Sequence, residues 1–62
     1  MNPPTDDTLA AMDRYGGSFV RTLATLYRRA DPENRTILDR AFAKIFATYA
    51  NLAADERTQS HG

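Results

Sequence analysis

Arg28-Arg29-Ala30-Asp31-Pro32-Glu33-Asn34 is the stretch that decides the fold of this 62-residue chain. Two arginines suit the negative end of a helix dipole, so a helix closes at Arg28 and Arg29. Asp31 can accept an orphan backbone N–H as an N-cap, Pro32 is preorganised for the first helical position, and Glu33 meets the positive end of the next dipole. One helix therefore stops and another starts within about three residues. So short a connection predicts antiparallel neighbours, an αα-hairpin.

Working back from this turn, the apolar or small residues fall at Leu9, Met12, Gly16, Phe19, Leu23, Leu26 and Ala30, at spacings of 3, 4, 3, 4, 3 and 4. That period keeps one stripe of a helix facing a packed neighbour, and no strand has it. It predicts a helix over residues 5–30, capped by Thr5 and with Asp6 and Asp7 at the positive end of its dipole. Gly16 and Gly17 each cost about 1 kcal/mol relative to alanine inside a helix, yet the stripe does not change phase across them. The expectation is a continuous or mildly kinked helix, with Gly16 facing inward where another backbone approaches closely. A turn between two shorter helices is the alternative.

Working forward, Leu38, Phe42, Ile45, Tyr49 and Leu52 repeat at spacings of 4, 3, 4 and 3, which predicts a second helix over residues 32–54. Ile37, Ala41, Phe46 and Ala53 widen its stripe, as Tyr15, Val20, Ala24 and Tyr27 widen the first. Each apolar arc covers roughly half the circumference. Two helices facing only each other need a narrower seam, so the all-α hairpin is expected to pair into a homodimer forming a four-helix bundle. Residues 1–4, with Pro3 and Pro4, read as a flexible lead-in, and residues 55–62 as a flexible polar tail.

Composition narrows the functional classes. A chain this short hides only about 60% of the surface its unfolded form exposes and usually needs a staple or a partner. It has no cysteine, and its single histidine is His61, so neither disulfides nor a metal cluster is expected. Eight Lys+Arg balance eight Asp+Glu, and this net charge of zero argues against generic binding to nucleic acid or anionic membrane. No apolar run is long enough to span a bilayer, and the first residues lack the pattern of a signal peptide, so a cytoplasmic location is expected. Catalysis is not expected, and neither is a cofactor. The carboxylates Asp6, Asp7, Asp31 and Glu33 are explained as helix-start residues, and no phosphate-cradling loop surrounds Gly16-Gly17.

What remains is surface. Arg14, Arg21 and Arg28 recur every seven residues opposite the apolar stripe, with Arg29 beside them, as a basic ridge that the overall balance conceals. An ordinary solvated helix face explains such a ridge, and so does docking on an acidic partner. All six aromatics lie on or beside an apolar stripe, and core packing is the default for them. Tyr15, Tyr27 and Phe46 stand at the stripe margins and are the expected anchors for a protein partner. A helix-turn-helix DNA reader is the competing interpretation. Against it, no third helix supports the pair, and Thr36, Asp39, Arg40, Ala43 and Ala47 make a poor base-reading face.

Tyr15-Gly16-Gly17-Ser18-Phe19-Val20, then Leu23-Ala24, Ala30-Asp31-Pro32-Glu33-Asn34, Leu38, Ala41-Phe42 and Tyr49 resemble a group of short proteins encoded by bacteriophages and related mobile elements. The likeness covers residues 13–52. It brings no settled activity, but it implies a phage or bacterial host cell in which tiny proteins bind and modulate or inhibit a larger complex. Ala43-Lys44 follows Phe42 here where the group commonly has proline, which implies a straighter second helix.

Overall fold

The computed structural model describes the backbone of residues 3–59 and the side chains of residues 3–56. It is all-helical, without strands among the described residues, and its order is α1 (Asp6–Tyr15), α2 (Ser18–Arg29), α3 (Pro32–Ala41) and α4 (Ala43–Gln59). No helix among the described residues is long and apolar enough to cross a membrane.

The caps read from sequence are in place. Thr5 Oγ1 accepts the Thr8 N–H at 3.2 Å, and Asp31 Oδ1 accepts the Asn34 N–H at 2.9 Å with Pro32 in the first turn behind it. A further grip at this turn was not anticipated. From α3, Arg35 donates through Nε to the Tyr27 carbonyl at 3.1 Å and through Nη2 to the Arg28 carbonyl at 3.3 Å. Those carbonyls lie at the end of α2, where the Tyr27 carbonyl also takes the Ala30 N–H at 3.2 Å, so a side chain from the next helix adds a second donor to this helix end. The same guanidinium stands 5.2 Å from the centre of the Tyr27 ring, within cation–π range.

The predicted single helix over residues 5–30 is two helices. Gly16 (φ −78°, ψ 153°) and Gly17 (φ −75°, ψ −173°) are both extended, and α1 closes with the Gly16 N–H on the Met12 carbonyl at 2.9 Å. The unbroken phase of the stripe does not require an unbroken helix, because two helices joined by an extended pair can keep the same spacing by coincidence of length. The bend lays α1 mainly against α4 and secondarily against α2. Leu9 and Met12 thereby join Leu23, Ala24, Tyr27 and Phe46 in one buried cluster, with Met12 fully covered. Val20, Leu38, Phe42, Ile45 and Tyr49 pack half-buried around it. Gaining that cover within one molecule outweighs the helical continuity that two glycines had already weakened.

The second predicted helix is also interrupted, at Phe42 (φ −120°, ψ 27°). Phe42 still donates to the Leu38 carbonyl at 2.9 Å and accepts from the Phe46 N–H at 3.0 Å, so the rod is kinked rather than severed. No proline or glycine stands there. What distinguishes Phe42 is a ring contact with Phe19, edge-on at 6.1 Å, a tertiary contact that periodicity does not encode. The straighter helix implied by the missing proline is therefore not found. At its far end α4 continues to Gln59, so residues 55–59 of the expected tail are helical, while residues 60–62, with His61, lie outside the described residues.

Candidate functional site

The residues expected at a partner surface divide sharply. Tyr27 and Phe46 are interior, only 5% and 4% exposed, their rings edge-on with centroids 5.4 Å apart. This corrects their assignment as partner anchors. Once α1 folds back, the margins of the α2 and α4 stripes become the middle of a three-sided core. Burial, together with the neighbouring Asp39 carboxylate, pushes the Tyr27 hydroxyl above its ordinary pKa, and Arg35 opposes this.

The converse correction concerns the expected core. Phe19 is 61% exposed, Leu26 51% and Leu52 38%, although periodicity placed all three inside. Tyr15 and Ile37 are exposed as well. Leu9, Met12 and Leu23 are buried as expected, Leu38, Phe42, Ile45 and Tyr49 are half-buried, and Gly16 is half-buried beneath Val20. Phe19 and Leu26 stand seven residues apart, so they share one face of α2. Phe19 meets Phe42, from which Ile45, Tyr49, Leu52 and Glu56 follow along α4 at helical spacing, and Tyr15 reaches Glu56 at the far end. Phe19 and Tyr15 thus border one outer apolar strip, which is the candidate site.

The basic ridge is less basic than it reads. Arg14 Nη1 pairs with Glu56 Oε1 at 2.7 Å, and Arg28 Nη2 pairs with Asp13 Oδ2 at 2.8 Å. Arg14 belongs to α1 and the other three arginines to α2, so the bend separates what a single helix would have aligned. Arg21 and Arg29 remain on the exposed surface of α2. The Arg14–Glu56 pair is not visible in local spacing, because Glu56 lies more than forty positions from Arg14 in a stretch whose polar composition reads as a tail.

Glu56 is a double acceptor, taking the Tyr15 hydroxyl on one oxygen and Arg14 on the other. The Tyr15 hydroxyl above all, with Arg14 adding to it and desolvation opposing, holds this carboxyl below the usual carboxylate range. A carboxyl whose pKa is lower folded than unfolded adds stability above its unfolded value and loses it as pH falls through the folded one. Thermal melts at pH 7 and pH 3 should therefore show a larger drop for the wild type than for Glu56→Gln, which has no charge to lose. Equal drops would mean that the contact is not formed in solution.

A cleft of about 460 Å³ opens beside the core, with Thr5, Thr8, Asp39, Ala43, Phe46 and Asn51 on its walls. Thr5 and Thr8 hydrogen-bond to each other through their hydroxyls at 3.1 Å while Thr5 caps α1, so both are engaged in structure. Asp39 Oδ1 is buried without a hydrogen-bond partner, and among the described residues no histidine, lysine or cysteine stands on these walls. Among the described residues no group of histidine, cysteine and acidic side chains is gathered as a metal site. Compared with known proteins, the chain matches no family model, no curated protein and no solved structure.

Proposed function

We propose that this protein is a small non-catalytic interaction module that works by pairing, first with a second copy of itself and, through its remaining surface, with a larger protein. The observation that carries this reading is the outer apolar strip. Tyr15, Phe19 and Leu52 stand exposed along it, with Leu26 on the same face of α2 as Phe19, and exposed apolar surface gathered in this way marks interaction sites. On a 6.9 kDa chain without a disulfide, covering such a surface also supplies stability that the small core lacks. The homodimeric four-helix bundle is the arrangement that covers it on both copies. The likeness to phage-encoded proteins extends the proposal to modulation or inhibition of a host or phage complex in the cytoplasm of a bacterial cell.

DNA binding is the weaker reading, because within the ridge Arg14 and Arg28 are engaged by Glu56 and Asp13, which leaves Arg21 and Arg29 of those four to meet phosphates. The test is sedimentation across a concentration series, comparing wild type with the double variant Phe19→Ser, Leu26→Ser. The wild type should pass from monomer to dimer in the micromolar range. The double variant should stay monomeric and helical, its dissociation constant raised at least about a hundredfold, which is roughly 3 kcal/mol. A wild type that remains a folded monomer throughout would overturn self-pairing, and steeply salt-dependent duplex binding lost with Arg21 and Arg29 would favour the DNA reading.

A further inference from the structure

We infer that Gly16-Gly17 is a hinge through which α1 is exchanged between two copies, leaving its own α4 and packing on the α4 of the second copy while α1 and α2 straighten into one helix. This rests on the self-pairing reading and specifies its geometry. Three independent features point the same way. The first is the stripe itself: Leu9, Met12, Gly16, Phe19, Leu23, Leu26 and Ala30 keep their spacing across the break, so a straight helix would align all of them. In the bent form that stripe is divided, with Leu9, Met12 and Leu23 buried and Phe19 and Leu26 left in water.

The second feature is the start of α2. No side chain caps it, and its first turn holds no acidic residue. Straightening would give those amides the carbonyls of the last turn of α1, removing an unsatisfied helix end. The third is that the occupant is already specified. The seat that α1 vacates is lined by α4 and α2 around Leu9 and Met12, and it leaves Glu56 facing an Arg14 and a Tyr15 and Arg28 facing an Asp13, so α1 of a second copy has a partner for each of these contacts. Exchange of an identical element through a short connection is a low-cost route to a dimer.

The two glycines make opposite tests. A Cβ at Gly16 would lie 2.6 Å from the Met12 carbonyl oxygen and 2.6 Å from Val20 Cβ in the bent form, so Gly16→Ala disfavours the bend. Gly17 has open space around it and φ −75°, and Gly16 before it is extended, so proline fits at position 17 in the bent form and is excluded from a straight helix. Gly16→Ala should tighten the dimer at least tenfold, and Gly17→Pro should weaken it at least tenfold while keeping the wild-type helix content.

Exchange itself is read by cross-linking. Arg14→Cys with Glu56→Cys places the only two thiols of the chain on partners of the α1–α4 contact. A short bis-maleimide should join them between chains in the dimer fraction and within one chain in the Gly17→Pro background. Dimers linked only within chains would overturn the exchange while leaving self-pairing intact. A folded Gly16→Ala protein that stays monomeric at millimolar concentration would overturn the hinge. An exchanged Gly16→Ala dimer beside a strictly monomeric wild type would support the hinge and remove pairing from the natural protein.

Discussion

Phe46→Ala is expected to leave the chain largely unfolded at 25 °C. The ring is interior, packed edge-on against Tyr27 and grouped with Leu9, Met12 and Leu23, so it joins α4 to α1 and α2 at once. Truncating a buried phenylalanine costs about 3–5 kcal/mol, the transfer term plus the cavity left behind. At 0.05–0.15 kcal/mol per residue, a chain of this length holds about 3–9 kcal/mol in total. The loss therefore takes most of what is available. Far-UV circular dichroism with urea titration would register it as vanished helix signal or a midpoint near zero denaturant. Phe19→Ala is the control, equal in chemistry but mostly exposed, and should cost about 1 kcal/mol when measured on the monomer, chiefly its edge-on contact with Phe42. Similar midpoints for the two variants would mean that α1 does not cover α4 in solution.

Gly16→Leu carries the second large effect. The first atom of any side chain at this position would press on a backbone carbonyl and on a β-branched neighbour in the same tight corner, and neither can step aside cheaply. Overfilling of this kind costs about 1–3 kcal/mol. The expected outcome is a melting temperature lowered by about 5 °C or more at concentrations where the protein is monomeric, since each kcal/mol shifts a domain of this size by about 4–8 °C. Gly17→Ala, one residue on, meets nothing within 4 Å and should melt close to the wild type. If both substitutions were silent, the bend would not exist in the monomer.

These two positions also mark how far the residues alone could be read. The caps at Thr5 and Asp31, the proline start of α3 and the two-sided division of the chain at Ala30 are local chemistry, decided within a few residues, and were legible for that reason. The bend at Gly16 is one of two readings the residues allow, and the continuous stripe favours the other, an unbroken helix. What decides it is the cover that α4 offers Met12, thirty and more residues away, and no local propensity carries that information. The kink at Phe42 and the burial of Tyr27 and Phe46 are hidden for the same reason. At the surface, the arginine spacing was legible and its neutralisation was not, since Asp13 and Glu56 become partners only after α1 folds back.

Arg35 gives the chain two joints of opposite character. Between α2 and α3 a guanidinium clasps the last carbonyls of one helix while lying on its tyrosine, so that corner behaves as a welded elbow. Between α1 and α2 the backbone link is two bare glycines, with no side chain clasping the helix ends as Arg35 does. Mechanically α1 is the tie that holds α2 and α4 together, and a force or binding event that loosens it will be felt first at its glycine wrist.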